Sequence, residues 1–271
     1  MDALFAVGVG IYSSDFLVPK QNKQDIEKLF NFFEFMDKLS GDQKNHLADF
    51  NALESLWLSE IPQKTITKDA RQVILDLKEV AEKYELDSYL IDSYFKAKKY
   101  DFSKFQFATA EEFNNYAAGA YEFVALISSK VLGLKNVEDS CLASQAKASL
   151  HFNLLTNLEN DTKNGRKYFP MSELRRFGLP DLSYKSAIKR PGAFREFIEA
   201  QVNNYFNLQK QARISYKFLP YAARLKLKMT IDTNNWLMRQ FQKNPFLVFE
   251  QNIAPNRLVK ARFWLARLVG G

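Results

Sequence analysis

The sequence predicts an all-α protein, and three observations support this prediction. Apolar residues recur every three or four positions through most of the chain, which is the spacing of an amphipathic helix. No segment alternates apolar and polar side chains convincingly, as a half-buried strand would. The 271 residues include only 10 glycines and 8 prolines, so tight turns are few. Because no internal repeat or break in composition divides the chain, residues 1–271 are expected to form a single domain.

About ten helices are predicted from periodicity and end signals. In residues 24–39, Ile26, Leu29 and Phe33 fall on one helix face, and the pattern recurs in residues 68–84. Thr109 and Glu112 have the spacing of a capping box, which predicts a helix from there to about residue 132. The later helices are predicted at residues 137–162, 193–217, 220–242 and 255–268.

The composition excludes several kinds of site. A single cysteine, Cys141, rules out an intramolecular disulfide and a cysteine-based zinc site. The two histidines, His46 and His151, make histidine-rich metal chemistry improbable. The apolar stretch 3–9 is far too short to span a membrane, and no basic region precedes it, so no targeting signal is visible.

The charge of the chain is unevenly distributed. The net charge is +7. From Lys185 to the end, 16 basic residues face only four acidic ones, whereas the first 184 residues have a slight acidic excess. A basic segment of this kind suits an anionic partner such as phosphate groups, a membrane surface or nucleic acid, although solvated helix faces would also produce it.

Residues 153–170 carry the most specific polar pattern. Asn153, Asn157 and Asp161 recur every four residues, which places them on one helix face. The helix is expected to end near residue 165, and three residues suited to an anionic group follow: Arg166, Lys167 and Tyr168. Together these side chains could hold a hard cation beside an anion, and a polar helix end would explain them equally well.

The same region resembles a known enzyme family. Gly165-Arg-Lys-Tyr-Phe-Pro170 is similar to the G-R-x-Y-[LI]-P segment of squalene and phytoene synthases, and residues 11–19 resemble their F-Y-x-x-x-x-x-L-P opening. Asp101 and Tyr116 fall in step with a further family stretch, and the order is kept through nearly the whole chain. The resemblance implies a terpene-synthase-like helical bundle around a central cavity. The residues expected to line the cavity are Tyr12, Tyr116, Tyr121, His151, Asn153 and Asn157.

The two aspartate motifs of that family are eroded. Its enzymes use D-D-x-x-D and D-x-x-x-D to hold magnesium ions that bind the substrate diphosphate. Here the first motif retains only Asp37 and the second only Asp161, while Lys38 adds a positive charge beside the first. Glu34 lies three residues before Asp37 and shares its helix face. Glu34, Asp37 and Asp161 together are expected to hold at most one ion.

The preferred hypothesis is therefore a catalytically degenerate family member without a cofactor. By analogy with a mitochondrial complex I assembly factor of this superfamily, it would act as an accessory or assembly factor at a membrane complex. The alternative is an active, magnesium-dependent transferase that condenses isoprenyl diphosphates. In that case Asp37 and Asp161 would act through the metal, and Arg166 would bind the diphosphate.

The expected partner is a membrane surface or membrane protein complex, with an isoprenoid or anionic lipid as a further ligand. In residues 255–268, basic side chains mingle with Phe263 and Trp264, as in an interfacial helix, and packing against the bundle would explain this pattern too. Nucleic acid is not expected, because no binding motif is present. The hypothesis places the protein peripherally on a membrane, on the mitochondrial matrix side or in the bacterial cytoplasm.

Overall fold

The computed structural model describes residues 22–41, 46–62, 65–102, 106–134, 136–219, 221–250, 253–256, 258–259 and 261. Within these ranges the only β pairing is one parallel bridge between Gln106 and Lys167, so the all-α prediction is confirmed. Residues 11–19, with Tyr12, lie outside the described residues, as does most of the helix predicted at 255–268.

Between residues 22 and 102, the described residues form four α-helices. They are α1 (Lys23–Gly41), α2 (Leu47–Trp57), α3 (Lys68–Lys83) and α4 (Ser88–Lys98), and a short 3₁₀ helix, Lys99–Phe102, continues α4. The predictions at 24–39 and 68–84 are therefore confirmed. Thr67 caps α3 by accepting a hydrogen bond from the backbone N–H of Ala70 at 3.3 Å, which satisfies one of the free donors at the helix start.

A long helix with a wide turn in its middle follows. It consists of α5 (Ala110–Ala117), a π-helical turn (Ala118–Glu122) and α6 (Phe123–Leu132). The predicted capping box is present. Thr109 Oγ1 accepts from the N–H of Glu112 at 3.2 Å, and the Glu112 carboxylate accepts from the N–H of Ala108 at 2.7 Å.

In residues 136–250 the described part of the chain forms six further α-helices and two 3₁₀ helices. The α-helices are α7 (Asp139–Thr156), α8 (Leu158–Lys163), α9 (Met171–Arg176), α10 (Tyr184–Lys189), α11 (Pro191–Ala212) and α12 (Tyr221–Lys243). The 3₁₀ helices are Arg213–Phe218 and Pro245–Phe249. The continuous helix predicted at 137–162 is wrong in one respect, because α-helical geometry is interrupted at Asn157, where φ is −104° and ψ is 6°. There the Asn153 carbonyl accepts from the Asn157 backbone N–H at 2.9 Å and also from the Asn157 side chain at 3.1 Å.

Apolar side chains form two buried clusters. The first lies among α1–α4 and α6 and includes Phe32 and Phe50, whereas the second lies among α5, α7, α11 and α12 and includes Phe197 and Tyr205. Tyr121, in the π turn, packs against both clusters. The π turn therefore marks the junction at which polar side chains gather. None of the described helices is long and apolar enough to cross a lipid bilayer.

The π turn packs unusually closely against α4. A Cβ atom added to Gly119 would lie 2.6 Å from the Cβ atom of Ala97 and closer still to the carbonyl oxygen of Ser93. We expect Gly119→Ala to lower the free energy of unfolding by ~1–3 kcal/mol, because the helices must move apart to admit one methyl group. Urea denaturation monitored by circular dichroism measures this change.

Gly192→Ala is the matched control. Gly192 is the second residue of α11, and a Cβ atom there would meet no other atom within 4 Å. The free energy of unfolding of this variant is expected to rise by up to ~1 kcal/mol, because alanine restricts the conformations of the unfolded chain. Equal effects of the two substitutions would contradict the close packing described for Gly119.

Candidate functional site

A cavity of about 240 Å³ opens between the two apolar clusters. Phe33 and Tyr94 wall it on the side of the first cluster, and Tyr116 and Leu154 on the side of the second. Its polar lining residues are Asp37, Ser40, Lys98, Asp101, Tyr121, Asn153, Asn157, Asn160, Asp161, Arg166 and Tyr168. The cavity thus collects charged groups from α1, α4, α8 and the segments that follow α4 and α8.

The ammonium group of Lys98 lies between two carboxylates. Its Nζ atom is 3.1 Å from Asp37 Oδ1 and also contacts Asp101 Oδ2. The side chains of Lys98 and Asp101 are only 8% and 6% exposed, and that of Asp37 is 17% exposed. A buried charge needs such partners, because an unpaired ion in the interior is strongly unfavourable.

The remaining oxygen of Asp101 is also engaged. Asp101 Oδ1 accepts hydrogen bonds from the hydroxyl groups of Tyr116 at 3.0 Å and Tyr168 at 3.2 Å. Both oxygens of this carboxylate therefore have donors from within the protein. Burial, followed by the nearby charge of Asp101, raises the pKa of the two phenols, so both remain protonated and able to donate.

Lys98 remains charged despite its burial. Burial alone would lower its pKa, but the charges of Asp101 and Asp37 outweigh that effect and raise the pKa of Lys98 well above its usual value. A permanent positive charge is therefore part of the cavity wall over the whole physiological pH range.

Arg166 links the second motif region to the end of α1. Its Nη2 atom donates to the carbonyl oxygen of Ser40 at 2.9 Å, and Ser40 Oγ in turn donates to the carbonyl oxygen of Asp37 at 3.0 Å. The Nε atom of Arg166 is buried and has no hydrogen-bond partner among the described residues. The guanidinium group thus retains one donor within the site.

Asp161 is an acid of the site whose ionisation is opposed by its surroundings. Burial raises its pKa from 3.8 to about 7, with Asp101 acting in the same direction and Arg166 opposing the change. At neutral pH this carboxyl group is therefore protonated in about half of the molecules. Its affinity for a cation is correspondingly reduced.

The structure brings most of the expected site residues to this cavity. Those that line it are Asp37, Asp161, Arg166, Tyr168, Tyr116, Tyr121, Asn153 and Asn157. Their chemical roles stay predictions. The break at Asn157 does not remove Asp161 from the wall, because α8 continues along the same cavity.

Two expected residues lie elsewhere. Glu34 is not part of the cavity wall and instead pairs with Lys38 at 2.9 Å, one helical turn further along α1. His151 is buried, but its Nε2 atom lies 3.0 Å from Asn204 Nδ2, and its ring packs edge-on against Phe113. Since residue 151 is about 200° around α7 from Asn153, it faces α11 rather than the cavity.

The expected anion-binding trio is also divided. Arg166 and Tyr168 line the main cavity, whereas Lys167 lines only a neighbouring cavity of about 30 Å³. The cause is the extended backbone of this segment, in which Lys167 forms the parallel bridge to Gln106 and successive side chains point to opposite sides. Lys167 is therefore not a ligand of the main cavity.

Lys98 and the structural role of Asp101 were not anticipated. A signal for Lys98 was present, because it continues the buried stripe of α4 formed by Ile91, Tyr94 and Phe95. Lysine on an apolar helix face three residues before an aspartate is compatible with a buried ion pair. The second acid that pairs with Lys98 cannot be predicted from neighbouring residues, because Asp37 is 61 residues away in the sequence.

The residues of the cavity do not fit a magnesium cluster. Magnesium prefers near-octahedral oxygen coordination and is usually bound by water, by substrate phosphates and by one or two carboxylates whose oxygens are free to coordinate it. Here Lys98 and two tyrosines use the oxygens of Asp101, and Lys98 also binds Asp37. Among the described residues, no three acidic, histidine or cysteine side chains are grouped so that they could hold a metal ion.

A family model and several solved structures match this chain. The family model described as squalene/phytoene synthase matches residues 22–264. A sequence search of curated proteins finds no match. Among solved structures, the squalene synthase HpnC from Alicyclobacillus acidocaldarius superposes with a TM-score of 0.67 at 17% identity, covering 89% of each chain. A dehydrosqualene synthase in complex with ligand superposes with a TM-score of 0.69 at 13% identity, and the match covers 97% of this chain and 91% of that one.

Removal of the central cation is expected to destabilise the protein strongly. Lys98→Met keeps the side-chain length but leaves Asp37 and Asp101 buried without their counter-ion. We expect the free energy of unfolding to fall by ~3–5 kcal/mol, the usual effect of breaking a buried ion pair from one side. Lys96→Met, on the exposed face of the same helix, serves as the control and is expected to change stability by less than ~0.5 kcal/mol. Similar denaturation curves for the two variants would contradict the assigned pairing.

Asp161 gives the stability a specific pH dependence. Because its pKa in the folded protein is about 7, above the ordinary 3.8, the unfolded chain ionises first as the pH rises and stability is lost up to about pH 7. Asp161→Asn lacks this loss. The difference in free energy of unfolding between this variant and the wild type should therefore grow from near zero at pH 4 to ~2 kcal/mol at pH 8 in favour of the variant. This figure discounts the full linkage value, because solvent partly screens the group.

The measurement for Asp161 is urea denaturation of both proteins at several pH values. Asp181→Asn is a control of opposite sign, because hydrogen bonds from Ser183 and Ser186 outweigh burial and lower the pKa of Asp181. The free energy of unfolding of that variant should fall further below that of the wild type at neutral pH than at pH 3. A constant difference between Asp161→Asn and the wild type from pH 4 to pH 8 would contradict the raised pKa.

Proposed function

The chain belongs to the squalene/phytoene synthase family, and we propose that it is a member without metal-dependent catalysis that serves as an accessory or assembly factor at a membrane complex. The position of the Lys98 ammonium group carries the first part of this proposal. It contacts both Asp37 and Asp101, so a protein cation occupies the place between carboxylates at which a metal cation would be attracted.

Charge supports the same conclusion. Lys98 and Arg166 offset Asp37 and Asp101, and Asp161 is only partly ionised near neutral pH, so the cavity is close to neutral overall. A cluster of divalent ions beside Lys98 would meet a like charge at short range, at a cost on the order of 4 kcal/mol per unit charge at about 4 Å and an effective dielectric of about 20. Too few ionised carboxylates remain to offset that repulsion.

The size of the cavity argues against two long substrates. Its volume of about 240 Å³ is below the range of roughly 300–1,000 Å³ typical of pockets that enclose even one drug-sized ligand. Tyr116 contributes a buried ring and Tyr121 a partly buried ring to its walls. Condensation of two isoprenyl diphosphates would need considerably more apolar volume than these walls leave.

The accessory role is inferred from the resemblance and from the charge distribution. The last third of the chain is strongly basic, which favours contact with an anionic membrane surface or a membrane protein complex. We therefore place the protein on the periphery of a membrane, on the mitochondrial matrix side or in the bacterial cytoplasm. Respiratory complex I is the partner suggested by the analogy.

One observation favours the alternative of an active prenyltransferase. Asp37, Asp161 and Arg166, the retained residues of the family motifs, all line the same cavity. In an active protein the two acids would hold magnesium and Arg166 the diphosphate of an isoprenyl substrate. This arrangement requires that Asp37 leave Lys98 and that Asp161 lose its proton.

Pyrophosphate release separates the two functions. Purified protein is incubated with farnesyl or geranylgeranyl diphosphate and magnesium, and we expect no release above background, because the cavity neither attracts the ions nor accommodates the chains. A prenyltransferase that releases pyrophosphate under the same conditions provides the positive control. Turnover that Asp37→Ala or Asp161→Ala abolishes would overturn the proposal.

The accessory role has its own test. Deletion of the gene in its native organism is expected to lower the amount of one assembled membrane complex on native gels. Both the wild type and Asp161→Asn should restore that amount, because the proposed accessory role does not require catalysis by the second motif. Rescue by the wild type that fails with Asp161→Asn, despite equal protein levels, would indicate that chemistry at the cavity is required.

A further inference from the structure

The corner between α11 and α12 exposes three large apolar side chains. Ile214 is 60% exposed, Phe218 43% and Tyr221 59%, and all three lie within eight residues of one another. Their neighbour Tyr216 is buried, and its hydroxyl group donates to Gln145 Oε1 at 2.5 Å. This anchor fixes the 3₁₀ helix Arg213–Phe218 against α7 and leaves Ile214 and Phe218 on its outer side.

Basic side chains neighbour these apolar groups in the sequence. Lys210, Arg213 and Lys217 are exposed, and Arg224 is partly exposed. Residues 200–231 contain six basic residues and no acidic ones. Within the part of the chain that the structure describes, the four named cations form no ion pair. The corner is therefore an apolar surface with a positive rim.

Two of the cations lie over the exposed rings. The Nζ atom of Lys217 is 4.9 Å from the ring centre of Phe218, and the guanidinium carbon of Arg224 is 5.7 Å from that of Tyr221. Long basic side chains that lie along apolar groups can keep their charges at a membrane interface while their stems contact the acyl boundary. Aromatic rings favour the same depth.

We propose that this corner, defined by Ile214, Phe218, Tyr221 and the cations Lys210, Arg213, Lys217 and Arg224, binds the surface of an anionic lipid bilayer. The apolar groups enter the headgroup region, and the cations contact lipid phosphates. The inference rests on the membrane part of the proposed function and names the surface responsible. Lipid is favoured over a protein partner because lysine is depleted in protein interfaces, whereas lysine is part of this rim.

The corner is separate from the cavity. Gln145, which anchors Tyr216, precedes the cavity residue Asn153 by eight residues on α7, about 12 Å along the helix axis. None of the corner residues lines the cavity. Substitutions at the corner can therefore be made without altering the carboxylates, Lys98 or Arg166.

Vesicle flotation tests the inference on the full-length chain. The wild type is expected to float with phosphatidylcholine vesicles that contain about one third phosphatidylglycerol, and not with phosphatidylcholine alone. Arg213→Gln combined with Lys217→Gln should weaken partitioning by ~25-fold, about fivefold for each charge removed. Ile214→Ser combined with Phe218→Ser should weaken it by at least ~10-fold through lost apolar contact.

Ile188→Ser combined with Lys189→Gln is the matched control. It removes a 51% exposed isoleucine and an exposed lysine from α10, and its partitioning should stay within about twofold of the wild type, since surface substitutions away from a binding site have small effects. Unfolding midpoints close to that of the wild type verify that each variant is folded. Raising the salt concentration to 1 M should weaken binding, because the screening length falls to about 3 Å.

Several results would overturn the inference. They are absence of flotation with the anionic vesicles, equal flotation with neutral ones, or corner variants that float like the control. Association with a membrane protein that depends on the corner, without any flotation, would also refute the lipid assignment. Prenyl diphosphate turnover would refute the proposed loss of catalysis and leave the corner unaffected, so the two failures are distinguishable.

Discussion

The contact of one buried ammonium group with two carboxylates holds the centre of this molecule together. Lys98 joins the end of α4 to Asp37 on α1, and Asp101 extends the network to the phenols of Tyr116 and Tyr168. Four segments distant in sequence therefore meet in one satisfied polar network. In a low-dielectric interior such a network is favourable only when every member is paired, and this requirement restricts how the surrounding helices can pack.

The polar network also explains why the interior is divided into two apolar clusters. Charged groups and hydroxyl groups cannot be covered by leucine and phenylalanine alone, so the clusters end where the network begins, and the cavity lies along that boundary. Tyr121 suits this position because its ring packs against both clusters while Asn153 provides a hydrogen-bond partner for its hydroxyl group. The same division that stabilises the fold thus creates the space in which the retained motif residues Asp37, Asp161 and Arg166 meet.

Local features of the fold were predictable from the sequence, and long-range pairings were not. Helical periodicity identifies α1 and α3, and the capping box at Thr109 marks the start of α5, because these signals lie within a few residues. The interruption at Asn157 was not predictable in this way, because the residue lies inside a continuous helical pattern and keeps its backbone bond to the Asn153 carbonyl. Motif similarity located Asp37 and Asp161, whereas the pairing that neutralises Asp37 depends on a lysine 61 residues away.

The π turn at Ala118–Glu122 makes the cavity sensitive to chain length as well as to residue identity. A π turn accommodates one residue more than an α turn of the same rise. Loss of a single residue from this segment would close the wide turn to α geometry, and the faces of α6 would be nearly kept because the turn is what absorbs the extra residue. Ala120 and Tyr121 lie in this turn and line the cavity. A one-residue deletion here would therefore reshape the cavity wall without changing a single charged group.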